Sequence, residues 1–280
     1  MISISISRFS SLNFEDGWRL GFQTDAVYEQ RFRTGDRIHV QYSVPKNPSF
    51  AVFPRLVDNE TGEESSLTAT AVTTGEEADV FDVVFTAAVG CYTFQIVQAT
   101  TPEHIAAESR FRVEESLSDT VWVECSNRRN EFDTVFSGGP FGFRMEGVFL
   151  PSERTFDVDN ETFRDQRYTL TQLSALPYSK RTLTVGGGFG VPYWVAEKLN
   201  LLLSATDVSI DGASYVRSEG AAPELTQIHS DYPMFIYKIE VERRGSDYSV
   251  ESGIFEAVPI VTSEGDAVTD SAGDTIMGVF

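Results

Sequence analysis

The sequence is poor in cysteine and histidine, and this scarcity limits the chemistry that it can support. The 280 residues include only two cysteines, Cys91 and Cys125, and three histidines, His39, His104 and His229. Two thiols without a CxxC pair cannot form a structural zinc site, and the histidines show no spacing typical of metal ligands. We expect free thiols buried in strands, because a reducing cytosol disfavours a disulfide. The histidines are expected on the surface.

Long apolar runs and a leader-like start are also missing. No stretch approaches about 18 consecutive apolar residues, so we expect no membrane span. The first residues, MISISISRF, lack the basic and apolar regions of a secretory signal peptide. We therefore expect synthesis and assembly in the cytosol.

Basic residues are scarce relative to acidic ones, at 22 against 42, and the net charge is −20. Negative charge repels phosphate backbones, so direct nucleic-acid binding is not expected. The charge serves mainly to keep the protein soluble. A second interpretation is that the negative charge limits self-association until the protein meets an ordered partner.

Recognisable catalytic motifs are absent as well. The sequence contains no GxSxG nucleophile turn and no phosphate-binding P-loop. The acidic run FDVDNETF (156–163) offers oxygen ligands for Ca²⁺, but it lacks the EF-hand glycine and spacing, so a solvated acidic loop is the better interpretation. A carboxylate pair for glycoside hydrolysis remains an open but weaker alternative. We therefore predict no catalytic, metal-binding or cofactor-binding residues.

What remains is the composition of a folded, mainly β protein. Hydrophobic residues make up 41% of the chain and aromatic residues 12%, enough to bury a sizeable core. Seven β-type runs, separated by turn residues, lie at 26–32, 37–44, 50–58, 66–74, 79–87, 91–99 and 109–115. Seven short strands in about 95 residues are typical of an immunoglobulin-like β-sandwich. We assign this sandwich, with the segment before it, to a first domain at residues 1–115.

A second module at residues 120–244 is predicted to be a β-rich α+β fold with one helix. Its β-type runs are 120–126, 141–149, 167–175, 180–186, 207–212, 213–219, 224–230 and 234–243. Apolar residues at helical spacing, among them Leu199 and Leu202, predict an amphipathic helix at 192–203.

Local turn signals flank this helix. Pro192 suits a first helical turn, where its missing N–H costs nothing. The run GGGFG at 186–190 predicts a tight strand-to-helix turn with positive φ rather than a phosphate site. Asp211-Gly212 between two β-type runs predicts a two-residue hairpin.

A polar, turn-rich stretch in the second module offers interface residues. Arg128 and Arg129 form an isolated basic pair in an acidic protein, and Phe132 follows them. The arginines could bind carboxylates of a neighbouring molecule bidentately. Local charge balance with Glu124 and Glu131 is the simpler alternative.

Residues 245–280 are assigned to a C-terminal extension or arm. The segment is polar and acidic, but its end, DTIMGVF, is apolar. Ile276, Met277 and Phe280 are therefore predicted interface residues. An arm that joins a neighbouring subunit and a disordered terminus stand as equal alternatives.

Several segments of the chain resemble one family of proteins. They are CSNRRNEFDTVF (125–136), LPYSKRTLTVGGGFGVPYW (176–194), VSIDGASYVR (208–217) and HSDYPMFIYKIEVE (229–242). The sandwich segments GDRIHVQY (35–42) and GCYTFQI (90–96) resemble its first module. The family is that of structural tail, baseplate or neck proteins of tailed phages and prophages of Bacteroidales-type bacteria.

The resemblance implies a non-enzymatic virion component that is assembled in the host bacterial cytoplasm. Its expected partners are copies of itself and other virion proteins, in a symmetric ring or a tail decoration. The alternative is a carbohydrate-binding or adhesion module of a phage tail or bacterial surface protein, with a host-surface glycan as partner. Trp18, Trp122 and Trp194 are the aromatic candidates for that alternative.

Overall fold

The computed structural model describes residues 4–14, 28–46, 48, 50–129, 134–136, 139–164, 166–229 and 232–244, with two short strands at 258–259 and 277–278. This part of the chain is mainly β, with several sheets and one α-helix. The expected fold class is confirmed at that level.

The first 114 residues contribute nine described strands in two sheets. They are β1 (Ser5–Ile6), β2 (Gln30–Arg33), β3 (Ile38–Pro45), β4 (Val52–Asp58), β5 (Glu64–Ser66), β6 (Thr70–Thr74), β7 (Ala78–Phe85), β8 (Gly90–Gln98) and β9 (His104–Glu114). One sheet has the order β1-β3-β7-β6 and the other β2-β9-β8-β4-β5. β2 runs parallel to β9, whereas the other pairings described in these sheets are antiparallel.

Alternating apolar residues of both sheets meet in one hydrophobic cluster. β3 contributes Val40 and Tyr42, and the second sheet contributes Phe32, Phe94 and Phe111, all at most 2% exposed. Burial of such a side chain contributes about 1.5–3 kcal/mol. The two sheets of this region therefore share a core.

The second module contains eight described strands and the helix. They are β10 (Thr120–Ser126), β11 (Phe141–Arg164), β12 (Leu170–Val185), β13 (Val191–Pro192), α1 (Tyr193–Leu202), β14 (Asp207–Ile210), β15 (Ala213–Arg217), β16 (Glu224–His229) and β17 (Tyr232–Arg243). The sheet order is β12-β11-β10-β14-β15-β17-β13, and β16 pairs with β17. Because β12 also pairs with β17, six strands form a closed ring of pairings.

Two expectations for this module are wrong. Strand β11 does not stop at residue 149 but continues through the acidic run, and β12 is one strand where two were predicted. The reason is visible in the alternation of Phe156 and Val158 with Asp157 and Asp159, which is the period-2 pattern of a strand. The run is solvated, as expected, but it is not a loop.

The helix agrees with the prediction to within one residue at each end. Pro192 is the N-cap residue, with φ −61°, rather than a residue of the first turn, and Leu203 is the C-cap. The buried face of the helix comprises Trp194, Val195, Ala196, Leu199 and Leu202. This face belongs to the second hydrophobic cluster, which lies against the ring of strands.

The predicted turns are confirmed by their backbone angles. Gly186 and Gly190 have φ of +80° and +81°, and a Cβ at Gly186 would lie 2.5 Å from the Phe235 carbonyl oxygen. Only glycine fits both the angle and the space. Asp211 and Gly212 also have positive φ and join β14 to β15 as a two-residue hairpin.

A buried ion pair joins the first sandwich to the second module. Nη2 of Arg144 on β11 donates to Oδ1 of Asp36 at 2.7 Å, and Arg144 Nε donates to Asp36 Oδ2. The side chains are 5% and 6% exposed. Arg33 N also donates to this carboxylate, and Arg144 Nη1 donates to Thr120. A two-point pair supported by further hydrogen bonds fixes geometry as well as charge.

The N-terminal segment, residues 4–14, also connects the two regions. Phe9 is fully buried in the second cluster, where its ring meets Phe136 edge-on at 5.0 Å. Leu12 is buried in the first cluster. Lys198 of α1 donates to the carbonyl oxygens of Arg8 and Ser10. The segment is therefore held by both cores.

His39 is fully buried, so the expectation that it lies on the surface is wrong. Its ring stacks on Phe141 at 4.0 Å, and its Nε2 atom lies 3.1 Å from Oδ2 of Asp82. Its Nδ1 atom lies 3.4 Å from the carbonyl oxygen of Pro140. Of the other two histidines, His229 is exposed and His104 is half-buried. His39 therefore packs at the junction between the two regions.

By their contacts, residues 1–156 and 179–244 form one compact unit, and residues 157–178 and 245–280 form a second. In the second unit, β18 (Val258–Pro259) pairs antiparallel with β19 (Met277–Gly278).

Leu199→Ala should lower the free energy of unfolding by about 2–5 kcal/mol, because it leaves a cavity at a fully buried site. Urea denaturation measures the loss. Glu197→Ala, at an exposed position of the same helix, is the control and should change stability by less than about 0.5 kcal/mol. A comparably small loss for Leu199→Ala would place this helix face outside the core.

Arg144→Met should destabilise the protein by about 3–5 kcal/mol, because the Asp36 carboxylate would stay buried without its partner. The double variant Asp36→Leu/Arg144→Met should lose clearly less than the sum of the two single losses. Denaturation of the four proteins gives the coupling directly. Additive losses would show that the two side chains do not stabilise the junction as a pair.

Candidate functional site

Among the described residues, the outer parts of β11 and β12 form an unusual surface. We call Asp157–Tyr178 the outer hairpin. Every described residue in it is exposed except Tyr178, which is half-buried. Its large apolar side chains are between 45% and 79% exposed: Val158, Phe163, Tyr168, Leu170, Leu173 and Leu176. Large apolar side chains exposed in such number on one element make it a candidate interaction surface.

The two strands of the outer hairpin differ in charge. The β11 strand carries Asp157, Asp159, Glu161 and Arg164. The β12 strand is uncharged from Tyr168 to Ser179, in a protein of which 23% of the residues are charged. Proteins usually protect edge strands with charges. Here only one of the two strands is protected in that way.

The backbone of the outer hairpin has few partners among the described residues. β10 pairs with β11 only between Phe141 and Glu146, and β17 pairs with β12 only from Lys180 to Val185. Between those limits the described pairing is that of β11 with β12. A two-stranded hairpin alone is only marginally stable in water. This one belongs to the compact unit that also contains residues 245–280.

Where the two strands leave the ring of six, polar contacts hold them. Glu153 accepts hydrogen bonds from Lys238 at 2.5 Å and from Thr184 at 2.8 Å, and Arg154 donates to Ser179 at 3.1 Å. The Lys238 ammonium group lowers the pKa of the Glu153 carboxyl, with Thr184 adding to the effect. These inner residues therefore have a defined geometry.

Of the residues predicted for the interface, Arg128 and Arg129 are both exposed. Arg128 has its Nε 3.7 Å from Oδ2 of Asp207, so its local partner is not Glu124 as the simpler alternative supposed. Arg244 binds the other oxygen of the same carboxylate at 2.5 Å, and the hydrogen bond from Arg244 is the largest effect that lowers the pKa of Asp207. Binding of a neighbouring carboxylate remains a prediction.

The other interface candidates are not brought together with these arginines. Phe132, Ile276 and Phe280 lie outside the described residues, and Met277 lies in β19. Sequence reasoning missed the outer hairpin. The signal was present in the alternation of FDVDNETF and in the uncharged run that follows it.

In the part of the chain that the structure describes, no group of three His, Cys, Asp or Glu side chains could hold a metal ion. Asp157 instead accepts a hydrogen bond from Tyr178 at 3.1 Å. No helix in the described ranges is long and apolar enough to cross a membrane.

The two tryptophans that the structure describes, Trp122 and Trp194, do not form an exposed sugar-binding platform. Trp194 is 8% exposed and packs edge-on against Tyr28. Trp122 is half-buried against Phe32, with the Arg144 guanidinium 5.4 Å from its ring centre. Trp18 lies outside the described residues.

Both cysteines are free. Cys125 is buried on β10, as expected, whereas Cys91 on β8 is only half-buried. Burial raises the pKa of the Cys125 thiol to about 12. The thiolate is the reactive form of cysteine. Cys125 is therefore unreactive for two reasons: reagents cannot reach the buried thiol, and its raised pKa keeps it protonated.

No protein-family model, no curated protein and no solved structure matches this chain.

A thiol reagent at pH 8 should modify Cys91 in the native protein and Cys125 only after unfolding. Timed labelling with Ellman's reagent measures both reactions. Cys91→Ser should abolish the native reaction and Cys125→Ser should preserve it. Labelling of native Cys91→Ser protein as fast as in urea would mean that β10 opens readily.

Proposed function

We propose that this protein is a non-enzymatic structural component of a tailed-phage virion. It assembles with copies of itself and with other virion proteins, as a symmetric ring or a tail decoration in the tail, baseplate or neck. The observation that carries the assembly role is the outer hairpin, with its exposed apolar side chains and uncharged β12 strand. The virion assignment rests on the resemblance of segments between residues 125 and 242 to that protein family.

The physical argument for assembly concerns the backbone of β12. Backbone N–H and C=O groups along a strand can pair with a strand from another molecule, and alternate side chains then give specificity. Between Leu170 and Ser179 no charge opposes such pairing. The net charge of −20 opposes indiscriminate association. A short uncharged strand on an acidic protein is therefore suited to specific contacts.

The first domain is proposed to be immunoglobulin-like. The order β1-β3-β7-β6 corresponds to strands A, B, E and D, and β2-β9-β8-β4-β5 corresponds to a sheet built on strands G, F and C. Such sandwiches occur in many unrelated proteins, so this architecture supports a binding or structural module without specifying its partner.

Immunogold labelling tests the virion role. An antibody raised against the purified chain should label one end or one ring of tailed particles released from the bacterium that carries the gene. Mass spectrometry of the purified particles should find the chain in several copies. The proposal would be overturned if the particles lacked the chain. It would also be overturned if the protein turned over a glycan or peptide and lost this activity on mutation of one carboxylate.

Leu173→Lys should weaken self-association of the purified protein by about ten-fold or more, because a charge on the β12 strand opposes strand addition. Mass photometry over a concentration series measures the effect, with circular dichroism to check the fold. Thr162→Lys places the same charge on the already charged β11 strand and is the matched control. Equal weakening by both variants would point to net charge rather than to β12.

A further inference from the structure

Asp82 on β7 is a buried carboxylate at the point where the sandwich meets the second module. Its side chain is 6% exposed. Oδ1 accepts a hydrogen bond from Nε2 of Gln41 at 2.7 Å. Oδ2 lies 3.1 Å from Nε2 of His39, and neither of these two atoms has another hydrogen-bond partner among the described residues. A buried carboxylate is costly unless a positive group faces it. His39 is the described side chain within ion-pair distance.

Gln41 and His39 connect this carboxylate to the second module. Gln41 donates to the carbonyl oxygen of Val135 and accepts from its backbone N–H, both at 2.8 Å. The His39 ring stacks on Phe141 with 4.0 Å between the ring centres and 6° between the planes. Its Nδ1 atom lies 3.4 Å from the carbonyl oxygen of Pro140. Each oxygen of the carboxylate is therefore linked to the second module through one side chain.

Both ring nitrogens of His39 face oxygen acceptors. Nε2 faces the carboxylate and Nδ1 faces a backbone carbonyl group. A neutral imidazole carries one N–H group, whereas an imidazolium ion carries two. In the neutral form, one ring nitrogen would therefore present its lone pair to an oxygen atom. A positive charge on the ring is also favoured by the aromatic face on which it stacks. The geometry therefore fits a protonated His39.

Other charged groups on the neighbouring elements are satisfied elsewhere or exposed. Asp36 and Arg144 bind each other in the pair described above. Arg8 of the N-terminal segment and Arg37, just before β3, are exposed. The described contacts of the His39 side chain are with a carboxylate, a carbonyl group and a phenyl ring. The carboxylate on β7 is therefore the titratable group to which His39 is most directly coupled.

We propose that His39 and Asp82 form a proton-dependent lock of the junction between the two regions. While His39 holds two ring protons, one is directed to the carboxylate and the other to the carbonyl group of Pro140. When the pair loses a proton, one of these contacts becomes a repulsion between lone pairs, and the hold on the second module weakens. The lock concerns contacts within one chain, so it does not depend on the proposed assembly role.

The direction of the pH dependence follows from comparison with the unfolded chain. An unfolded histidine loses its proton near about pH 6.5. Because the folded pair keeps the proton, the folded state binds more protons than the unfolded state above that pH. Stability then falls as the pH rises. The contribution of the pair is complete below about pH 6.5 and is lost as the folded pair gives up its proton at higher pH.

Urea denaturation at pH 6.0 and pH 8.0 tests the lock. The unfolding equilibrium constant of the unaltered protein should rise by about ten-fold or more between these pH values. His39→Gln and Asp82→Asn should each remove most of this rise. His229→Gln, at an exposed position, is the control and should keep it. The range ends at pH 8.0 because burial raises the pKa of the Cys125 thiol to about 12, so this thiol adds its own pH dependence once unfolded cysteine ionises.

NMR of the unaltered protein with ¹⁵N-labelled histidine detects the ring protons directly and needs no change at position 39 or 82. At pH 7.5 His39 should have both ring nitrogens protonated, whereas His104 and His229 should be neutral. The variants His104→Gln and His229→Gln assign the signals.

A neutral His39 ring at pH 7.5 would contradict the lock, even if the variants at positions 39 and 82 failed to fold. A rise of less than about two-fold in the unfolding equilibrium constant of the unaltered protein would also contradict it. An equal rise in Asp82→Asn would have the same meaning, because the pH dependence would then come from another group.

Discussion

The interaction on which the rest of this structure depends is the buried pair of Asp36 and Arg144. It lies where the β-sandwich meets the ring of six strands, and both side chains are almost inaccessible to solvent. A buried charge without its partner is strongly unfavourable, so the two regions are favoured in the arrangement that keeps the pair intact. The stacking of His39 on Phe141 and the packing of Phe32 against Trp122 lie at the same junction. The junction is therefore held by one ion pair and two aromatic contacts.

A fixed junction would favour the proposed assembly role. Binding is weakened by every degree of freedom that must be frozen when two molecules meet. A protein whose two regions are already held in one geometry loses less conformational freedom when it binds. The polar contacts of Glu153 and Arg154 have the same effect on the inner part of the β11–β12 hairpin. The exposed apolar side chains of the outer hairpin lie on two strands whose inner parts belong to the ring of six.

Local features of this fold could be predicted from the sequence, and distant ones could not. The helix, the Gly186–Gly190 turn and the Asp211-Gly212 hairpin each depend on residues within a few positions of one another. The length of β11 was missed because its acidic residues suggested a loop, although they alternate with apolar ones. Asp36 and Arg144 are 108 positions apart, and no local pattern relates them. A cavity lined by residues 6–14 and by helix α1 could not be predicted for the same reason, since it joins residues near position 10 to others near position 200.

The double attachment of the N-terminal segment has a consequence for the order of events during synthesis. Ser7 bonds to Thr134, which is 127 residues further along the chain, and Lys198 reaches Arg8 across 190 residues. At about 5–20 residues per second, the ribosome needs roughly 10–40 s to span the longer of these intervals. During that time Phe9 has no core to enter, although the strands of the sandwich have already been made. The first region is therefore completed only when the helix of the second emerges, so the earliest residues of the chain are among the last to reach their native contacts.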